Sequence, residues 1–313
     1  MRVAAVCVAA MLNALTQNVI PQPSAASVPL TPPAMKALQI QVMLDRAAYS
    51  PGEIDAAMGA NTKAALAAFQ KSGGDAGALP QDVLTSYRIT DGDVAGPFTP
   101  RIPTDLVQQA QLPALGYRDV IEMLGERFHC SPALLRLVNQ HAQFVAGEEI
   151  LVPNIPGGDD PTQPKQNGES PRTSGANDVT VTVTRSTSTL IVADETGKTI
   201  FFAPVTTGSE HDPLPIGEWK VTGIQHDPEF HYNPELFWDA DPKNSTALIK
   251  PGPNNPVGVV WIDIDRPHYG LHGTPEPSMI GKTTSHGCVR LTNWDALTLA
   301  SLVRTGTRVI FAE

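Results

Sequence analysis

Hydrophobic and polar residues alternate along this chain with two different periods, and the change divides a helical first half from a strand-rich second half. Near the N-terminus, Met35, Leu38 and Val42 recur at helical spacing, which predicts an amphipathic helix. Over residues 179–184 the period becomes two, because valines alternate there with threonines, as is typical of a half-buried strand. The pattern therefore predicts a multidomain α+β chain with its helices first.

Short apolar runs continue the strand pattern to the C-terminus. They occupy residues 190–192, 200–202, 219–221, 259–262 and 308–311. One helix is predicted among them, from residue 294 to about residue 303, with Thr292 or Asn293 as its N-cap. Many short strands, Gly/Pro turns and a single helix predict a mainly antiparallel β domain over residues 178–313.

Residues 34–90 predict a small module of three short helices. The first helix begins near Met35, Asn61 or Thr62 can cap the second, and Pro80 can begin the third. The segment contains, in order, Leu38-Gln39, Ile54-Asp55, Gly59, Thr62 and Phe69-Gln70. This succession resembles the helical peptidoglycan-binding module of bacterial wall enzymes. A helical spacer without a ligand is the alternative.

Residues 104–154 predict a second small module, of mixed α/β structure. Apolar residues recur every four positions from Val120 to Phe128 on one helix, residues 134–138 predict another helix, and residues 149–153 predict a closing strand. This order of helix, helix and strand resembles a LysM carbohydrate-binding module. The alternative is a purely structural role.

Two segments have compositions that predict no packed core. Residues 155–177 are rich in proline and glycine and poor in aliphatic residues, which predicts a flexible linker. Residues 1–26 combine an early basic residue, a short apolar run and a small-residue end, which is typical of a secretory signal peptide cleaved after Ala26. The protein is therefore expected to be exported to the periplasm or the cell wall. A buried N-terminal helix is the alternative.

The composition excludes one class of partner and narrows the search for reactive groups. Acidic residues outnumber basic ones by 32 to 22, for a formal net charge of −10, so nucleic acid is not an expected partner. Of the three cysteines, Cys7 belongs to the predicted signal peptide. Cys130, between apolar segments, is expected to be a small buried hydrophobe, which leaves Cys288 as the candidate reactive thiol.

The strongest chemical signal is a cysteine close to two histidines. Cys288 follows His272 by 16 positions and His286 by two, among small and turn-forming residues. A thiol attacks as the thiolate, so a cysteine nucleophile needs a base nearby. Gly287 frees the backbone, so that its own N–H and that of Cys288 can converge on a developing oxyanion, with the His286 N–H as the alternative donor. Together with His268 these residues could ligate zinc, but the spacing matches no common zinc pattern, and no metal is expected.

The residues around this cysteine resemble the catalytic signature of a known family. His272-Gly273 precedes the block Ser285-His286-Gly287-Cys288-Val289-Arg290, and similarity extends from about residue 178 to residue 313. The stretch resembles the YkuD-type L,D-transpeptidase domain, which remodels bacterial peptidoglycan. The resemblance implies a curved β-sandwich with Cys288 as nucleophile, His272 as base and the Gly273 carbonyl orienting the imidazole. His286 is the alternative base, or it positions substrate or tunes the thiol.

Four further residues are candidates for substrate contact. Arg290 carries a planar cationic fork that suits the carboxylates of peptidoglycan stems, and a structural salt bridge is the alternative. Tyr269 is a candidate to line the groove for the acyl donor, while Ser285 either contacts substrate or orders the loop. Thr274 completes the expected substrate-binding set.

The resemblance implies an acyl transfer that needs no cofactor. Cys288 would attack a tetrapeptide stem before its terminal D-Ala, and an amine of a neighbouring stem, or a lipoprotein lysine, would resolve the thioester. Carbapenems, whose strained carbonyl resembles the donor, are the expected inhibitors. Hydrolysis of the same acyl-enzyme stays open, as in an L,D-carboxypeptidase or a hydrolase that releases wall-anchored lipoprotein. A non-catalytic wall-binding scaffold is a further alternative.

Overall fold

The computed structural model describes residues 30–157, 179–241 and 243–313, so the predicted signal peptide and nearly all of the predicted linker lie outside the described residues. We call residues 30–157 the N-terminal unit. Its elements are α1 (Pro32–Arg46), α2 (Ala60–Lys71), β1 (Leu84–Arg88), α3 (Asp91–Ala95), α4 (Leu106–Gln109), α5 (Val120–Arg127), α6 (Pro132–Val138) and β2 (Glu149–Pro153).

Capping residues in the sequence determine where the main helices of this unit begin. Thr31 Oγ1 accepts a hydrogen bond from the Ala34 N–H (3.4 Å), with a proline as the first residue of α1. Ser131 Oγ accepts one from the Leu134 N–H (3.0 Å) at the start of α6. The helices predicted near residues 35, 61, 120 and 134 are confirmed as α1, α2, α5 and α6, but the predicted cap of α2 is wrong, because Gly59 precedes this helix and provides no side-chain cap.

The third helix predicted from Pro80 is wrong, because residues 84–88 form the strand β1. This strand pairs antiparallel with β2, from the end of the second predicted module. Its threonine and tyrosine favour extended backbone, and its backbone groups bond to a partner far along the chain. A local hydrophobic period carries no information about such a distant partner, so it could not separate this strand from a short helix.

The two predicted modules contribute to one hydrophobic core. Buried side chains from residues 38–56, 83–89, 123–138 and 144–155 belong to a single cluster. Arg127 crosses from α5 to bind Asp93 (2.7 Å) of α3, and both side chains are largely buried. The N-terminal unit therefore folds around contacts between the two predicted segments.

The second part of the chain, residues 179–313, forms the C-terminal domain. Its strands are β3 (Thr180–Thr184), β4 (Thr189–Ala193), β5 (Thr199–Pro204), β6 (Gly217–His226), β7 (Phe230–Tyr232), β8 (Ala247–Ile249), β9 (Val260–Ile264), β10 (Gly270–His272), β11 (Val289–Arg290) and β12 (Arg308–Ala312), and its helix is α7 (Asn293–Leu302). Eight strands pair in one sheet, in the order β11-β10-β9-β6-β12-β3-β4-β5, while β7 and β8 form a separate hairpin.

This sheet is mainly antiparallel, as predicted, with parallel pairs only at β10–β11 and β12–β3 among the named strands. Register shifts in β4 and β6 mark bulges, which bend a sheet. The strands pair continuously, so the β-sandwich implied by the resemblance is here one curled sheet. Side chains of α7 join the strands in one core, which fixes the helix beside β9 and β10.

The N-terminal unit is docked directly on the C-terminal domain. The Ser50 N–H donates to the Phe202 carbonyl (2.8 Å), and the Phe202 N–H donates to the Ala48 carbonyl (3.0 Å), which extends the sheet beyond β5. At a second place, the Leu115 N–H donates to the Pro251 carbonyl (3.1 Å). The predicted linker is therefore not the only connection between the two parts.

Within the described ranges, none of the helices combines the length and apolar character needed to span a lipid bilayer.

Candidate active site

Three neighbouring strands at one edge of the sheet bring the motif residues together. His272 of β10 lies opposite Trp261 of β9 and opposite Arg290 of β11. Directly opposed residues in a sheet place their side chains on the same face. The indole and the imidazole stack with centroids 5.3 Å apart and an interplanar angle of 17°. The histidine thus lies between a tryptophan and an arginine on one face of the sheet.

His272 is held as a neutral imidazole with one nitrogen left as an acceptor. The ring is only 4% exposed, and Nδ1 lies 2.6 Å from the Gly273 carbonyl oxygen. Because a carbonyl only accepts, Nδ1 carries the proton and Nε2 is the bare acceptor. Burial, assisted by the charge of Arg290, lowers the pKa of His272 to about 3. The ring is therefore ready to receive a proton through Nε2.

Cys288 lies immediately before β11, and its thiol faces the start of β10. The side chain is partly exposed, and Sγ donates a weak hydrogen bond to the His268 carbonyl (3.6 Å). Burial raises the pKa of the Cys288 thiol to about 11, while the Gly270 backbone and the Arg290 guanidinium oppose the rise. The charge of Arg290 acts to lower the pKa of both the thiol and the His272 imidazole, so the three side chains lie close enough to interact electrostatically.

These pKa values define the resting state of the two groups. At neutral pH the thiol keeps its proton and the imidazole lacks one, so the site holds no preformed thiolate. A neutral pair costs less to bury than two separate charges. If Cys288 is the nucleophile, its thiol loses the proton as it attacks, and not beforehand.

The loop that presents the cysteine is ordered by a buried serine. Ser285 is 3% exposed, its Oγ accepts from the Gly287 N–H (3.2 Å), and its hydroxyl donates to the Cys288 carbonyl (2.5 Å). Gly287 has φ +102°, and the Tyr269 ring occupies the space that a Cβ would need. The hydroxyl expected to contact substrate or order the loop is engaged within the loop.

The same bonds narrow the choice of oxyanion donor. The Gly287 N–H already donates to Ser285, whereas the Cys288 N–H meets no protein acceptor in the described part of the chain. Of the N–H groups expected from the sequence, that of Gly287 is engaged within the loop, and that of Cys288 is free to bind a developing oxyanion.

His286 has a different set of partners from His272. Its Nε2 lies 2.7 Å from Asp239 Oδ1, the Phe237 ring packs against its edge at 4.8 Å between centroids, and Trp238 lies at 6.0 Å. Its Nδ1 is buried, with no hydrogen-bond partner among the described residues. A carboxylate rather than a backbone carbonyl therefore orients the second histidine, which is held against residues 237–239.

The other candidate substrate residues differ in what they offer. Arg290 lies beside the thiol and the imidazole, and burial lowers the pKa of its guanidinium. Tyr269 is half-buried, with the Arg266 guanidinium 5.6 Å from its ring centroid. Thr274 is 7% exposed, and its Oγ1 accepts from the Glu276 N–H (3.3 Å). The structure brings Arg290 and Tyr269 to the cysteine loop, whereas the threonine hydroxyl serves a turn.

Three contributors to the site were not predicted from the sequence: the Asp239 carboxylate, the His268 carbonyl and the Asn293 side chain. Asp239 lies 47 positions before His286 in a polar stretch without a motif. His268 acts through its backbone, which side-chain identity does not reveal. Asn293 was considered only as an N-cap, but Thr292 caps α7, and the amide of Asn293 lies against Gly273.

Two of the histidines that were candidate zinc ligands each have one ring nitrogen bound to another group. His272 Nδ1 is bound to a carbonyl, and His286 Nε2 to a carboxylate. Over residues 30–157, 179–241 and 243–313, no group of three or more His, Cys, Asp or Glu side chains is arranged to hold a metal ion.

The C-terminal part of the chain is similar to a known protein family and to several known sequences. Residues 178–311 match the YkuD family model, the L,D-transpeptidase catalytic domain. The L,D-transpeptidase YkuD of Bacillus subtilis (strain 168) is 28% identical over 193 residues, covering 61% of this chain and 92% of that protein. The L,D-transpeptidase YbiS of Escherichia coli (strain K12) is 34% identical over 120 residues, covering 37% of this chain and 38% of that protein.

Solved structures give weaker matches. One is L,D-transpeptidase 3 from Mycobacterium tuberculosis in complex with a faropenem-derived adduct, with 19% identity, a TM-score of 0.36, and coverage of 44% of this chain and 61% of that chain. Another is an L,D-transpeptidase from Mycobacterium smegmatis, with 17% identity, a TM-score of 0.36, and coverage of 44% and 59%. The match thus spans about three fifths of each solved chain.

The family match covers every strand and loop that builds the site. The C-terminal part of this chain, residues 178–311, is a YkuD-type L,D-transpeptidase catalytic domain, an enzyme domain of the L,D-transpeptidase family. Enzymes of this family act on peptidoglycan. The N-terminal unit lies outside the residues matched by the family model.

Proposed function

We propose that this protein is a cysteine-dependent L,D-transpeptidase that transfers the acyl group of a peptidoglycan tetrapeptide stem to an amine. The observation that carries the proposal is the state of His272. Its Nδ1–H is bound to the Gly273 carbonyl at 2.6 Å, so Nε2 is a neutral acceptor, without a hydrogen-bond partner among the described residues, on the face shared with Arg290. This arrangement supports proton transfer from the Cys288 thiol.

In the first half-reaction the thiol becomes acylated. Cys288 Sγ attacks the carbonyl that precedes the terminal D-Ala, and the thiol proton passes to His272 Nε2. The Cys288 N–H stabilises the tetrahedral oxyanion. When this intermediate collapses, the C–N bond breaks and the departing D-Ala amine takes the proton from His272. A thioester and free D-Ala result.

In the second half-reaction an amine resolves the thioester. The side-chain amine of a neighbouring stem attacks the carbonyl and gives a proton to His272 Nε2. Collapse breaks the C–S bond, and the sulfur regains that proton. The product is a 3→3 crosslink, and the enzyme returns to its starting protonation state. Water in place of the amine would give hydrolysis, and a lipoprotein lysine would give an anchored protein.

Arg290 and Tyr269 are the proposed substrate contacts. Arg290 is near enough to Cys288 to oppose the rise that burial causes in the pKa of the thiol, and its fork can bind a stem carboxylate. Tyr269 covers Gly287, beside the nucleophile. Because the substrate is cell-wall peptidoglycan, we further propose that the protein works after export, in the periplasm or at the wall.

The direct test is incubation of the purified protein with tetrapeptide muropeptides, followed by mass analysis. Crosslinked dimers that have lost one D-Ala are expected, and a Cys288→Ala variant should form none. Shortened monomers without dimers would indicate hydrolysis instead. Unchanged muropeptides, with a folded protein, would contradict the proposed activity.

A further inference from the structure

We propose that Asn293 is a positioning residue for His272 and that the N-terminal unit braces Asn293 through the first turn of α7. This proposal rests on the proposed function, in which His272 is the base. The N-terminal unit would then be a working part of the catalytic site, and not only a module that brings the enzyme to its substrate.

The Asn293 side chain joins two backbone segments beside His272. The residue is 2% exposed, its Nδ2 donates to the Pro253 carbonyl (3.0 Å), and its Oδ1 accepts from the Val259 N–H (3.3 Å). The same oxygen lies so close to Gly258 and Gly273 that a Cβ on either glycine would overlap it. One amide therefore links the 253–259 segment to Gly273.

The position of the Gly273 peptide in turn determines the orientation of the His272 imidazole. Its carbonyl oxygen holds His272 Nδ1 at 2.6 Å, and its N–H donates to the Val260 carbonyl (3.2 Å). A displaced Gly273 peptide would release Nδ1, and the ring could then turn or move its proton to Nε2. Either change would remove the bare acceptor that the reaction needs.

The N-terminal unit contacts three consecutive residues of the same helical turn. The Glu126 carboxyl lies against the Asn293 amide. Burial raises the pKa of this carboxyl to about 8, and a hydrogen bond from the Asn293 side chain opposes the rise. The His129 ring stacks on Trp294, with centroids 5.2 Å apart and planes 10° from parallel.

The third contact is a buried hydrogen bond. Ser50 Oγ donates to Asp295 Oδ2 (2.8 Å), and the Asp295 N–H is bound to the cap residue Thr292 (3.1 Å). His129 is itself tied to α1, because its Nδ1 lies 2.8 Å from Asp45 Oδ2. Helix α7 is therefore held from the N-terminal unit at its first turn, the turn that touches Gly273.

The first test replaces Asn293 and measures the rate at which the carbapenem imipenem acylates Cys288. A 1 Å displacement of a catalytic group can lower a rate by about 10²-fold, and Asn293→Ala is expected to slow acylation by about that factor. Asn293→Asp, which keeps the shape but loses the amide donors, should give an intermediate rate. ¹⁵N NMR of His272 should show that the Nδ1–H tautomer is no longer dominant in Asn293→Ala.

The matched control is Asn139→Ala. Asn139 donates to the Leu135 and Leu151 carbonyls and accepts from the Leu151 N–H, away from α7. This control should lose stability without a change in the His272 tautomer. An Asn293→Ala variant that keeps the wild-type acylation rate and tautomer would overturn the role of Asn293. A wild-type protein that imipenem does not acylate would instead count against the proposed function.

The second test addresses the brace. Ser50→Ala and Glu126→Gln should each slow acylation several-fold, whereas Ser301→Ala, which removes an exposed hydroxyl from the far end of α7, should not. Because these changes are small, the variants are expected to fold. Wild-type rates for both Ser50→Ala and Glu126→Gln, with an unchanged His272 tautomer, would show that the N-terminal unit does not brace the site.

Discussion

The two free thiols of the described chain lie in different surroundings. Cys130 is 2% exposed in the core of the N-terminal unit, and burial, with a smaller contribution from Glu53, raises its pKa well above the ordinary range. Cys288 is partly exposed at the sheet edge, where burial also raises its pKa, but Arg290 opposes the rise. Burial makes both thiols weak acids, but Cys288 is partly exposed and lies next to β11, the strand paired with the one that carries His272, the proposed base.

Removal of each thiol gives the largest predicted contrast. Because a reaction that loses its nucleophile falls to background, Cys288→Ala should lower crosslinking of muropeptides by at least about 10⁴-fold. Cys130→Ala should keep near-normal activity and lose about 1 kcal/mol of unfolding free energy. The measurements are initial rates and urea midpoints. Equal losses of activity in both variants would contradict the division between a chemical and a structural cysteine.

The two histidines give the next contrast. His272→Ala should reduce turnover by about 10³-fold, within the range for loss of a general base. His286→Ala should retain a measurable fraction, because its imidazole is bound to Asp239 and not to a backbone carbonyl. Steady-state rates with both variants decide the question. The opposite order of activities would move the base to the histidine beside the cysteine.

Alkylation of Cys288 by iodoacetamide should depend steeply on pH. The pKa of Cys288 is raised to about 11, and only the thiolate reacts, so the rate should rise about tenfold per pH unit from pH 7 to pH 10. His272, with a pKa lowered to about 3, is neutral throughout this window and does not stabilise a thiolate. Native Cys130 should stay unmodified. A plateau between pH 5 and pH 8 would indicate a preformed thiolate–imidazolium pair.

The last prediction concerns how the stability of the folded protein depends on pH. Burial raises the pKa of Asp295 in the folded protein to about 7, above its ordinary value of 3.8. The folded state therefore binds this proton more tightly than the unfolded state, so stability is complete below about pH 4 and falls as pH rises to about 7. The expected loss is of the order of 4 kcal/mol.

Asp295→Asn should flatten that part of the pH profile, which denaturant unfolding at several pH values would measure. The pKa of Asp295 also depends on four neighbouring side chains: Ser50, Thr292, His129 and Asp45. These four residues are therefore left unchanged in the variant. An identical slope for the wild-type protein and the variant would show that this carboxyl does not titrate on unfolding.

The sequence predicted the local features and missed the distant ones. The two-residue period of residues 179–184 predicted β3, and the resemblance carried by His272-Gly273 predicted the contact between the His272 imidazole and the Gly273 carbonyl. Residues close together in the sequence are enough to recognise these patterns. The strand β1, predicted as a helix, depends on a partner in another segment.

The contacts that brace the site also lacked a sequence signal. Ser50 and Asp295 are 245 positions apart, and Asp239 and His286 are 47 apart. Serine, aspartate and asparagine occur throughout loops and caps, so their identity does not reveal a distant partner. Without those partners, the N-terminal segments resembled modules on a flexible linker, and their contact with α7 could not be predicted.

The most direct test of the central claim is the intact mass of the protein after reaction with imipenem at neutral pH. A single adduct is predicted on the wild-type protein and on Cys130→Ala, located by peptide mapping at Cys288, and none on Cys288→Ala. An unmodified wild-type protein, or an adduct on Cys288→Ala that maps to Cys130, would contradict the assignment of Cys288 as the nucleophile.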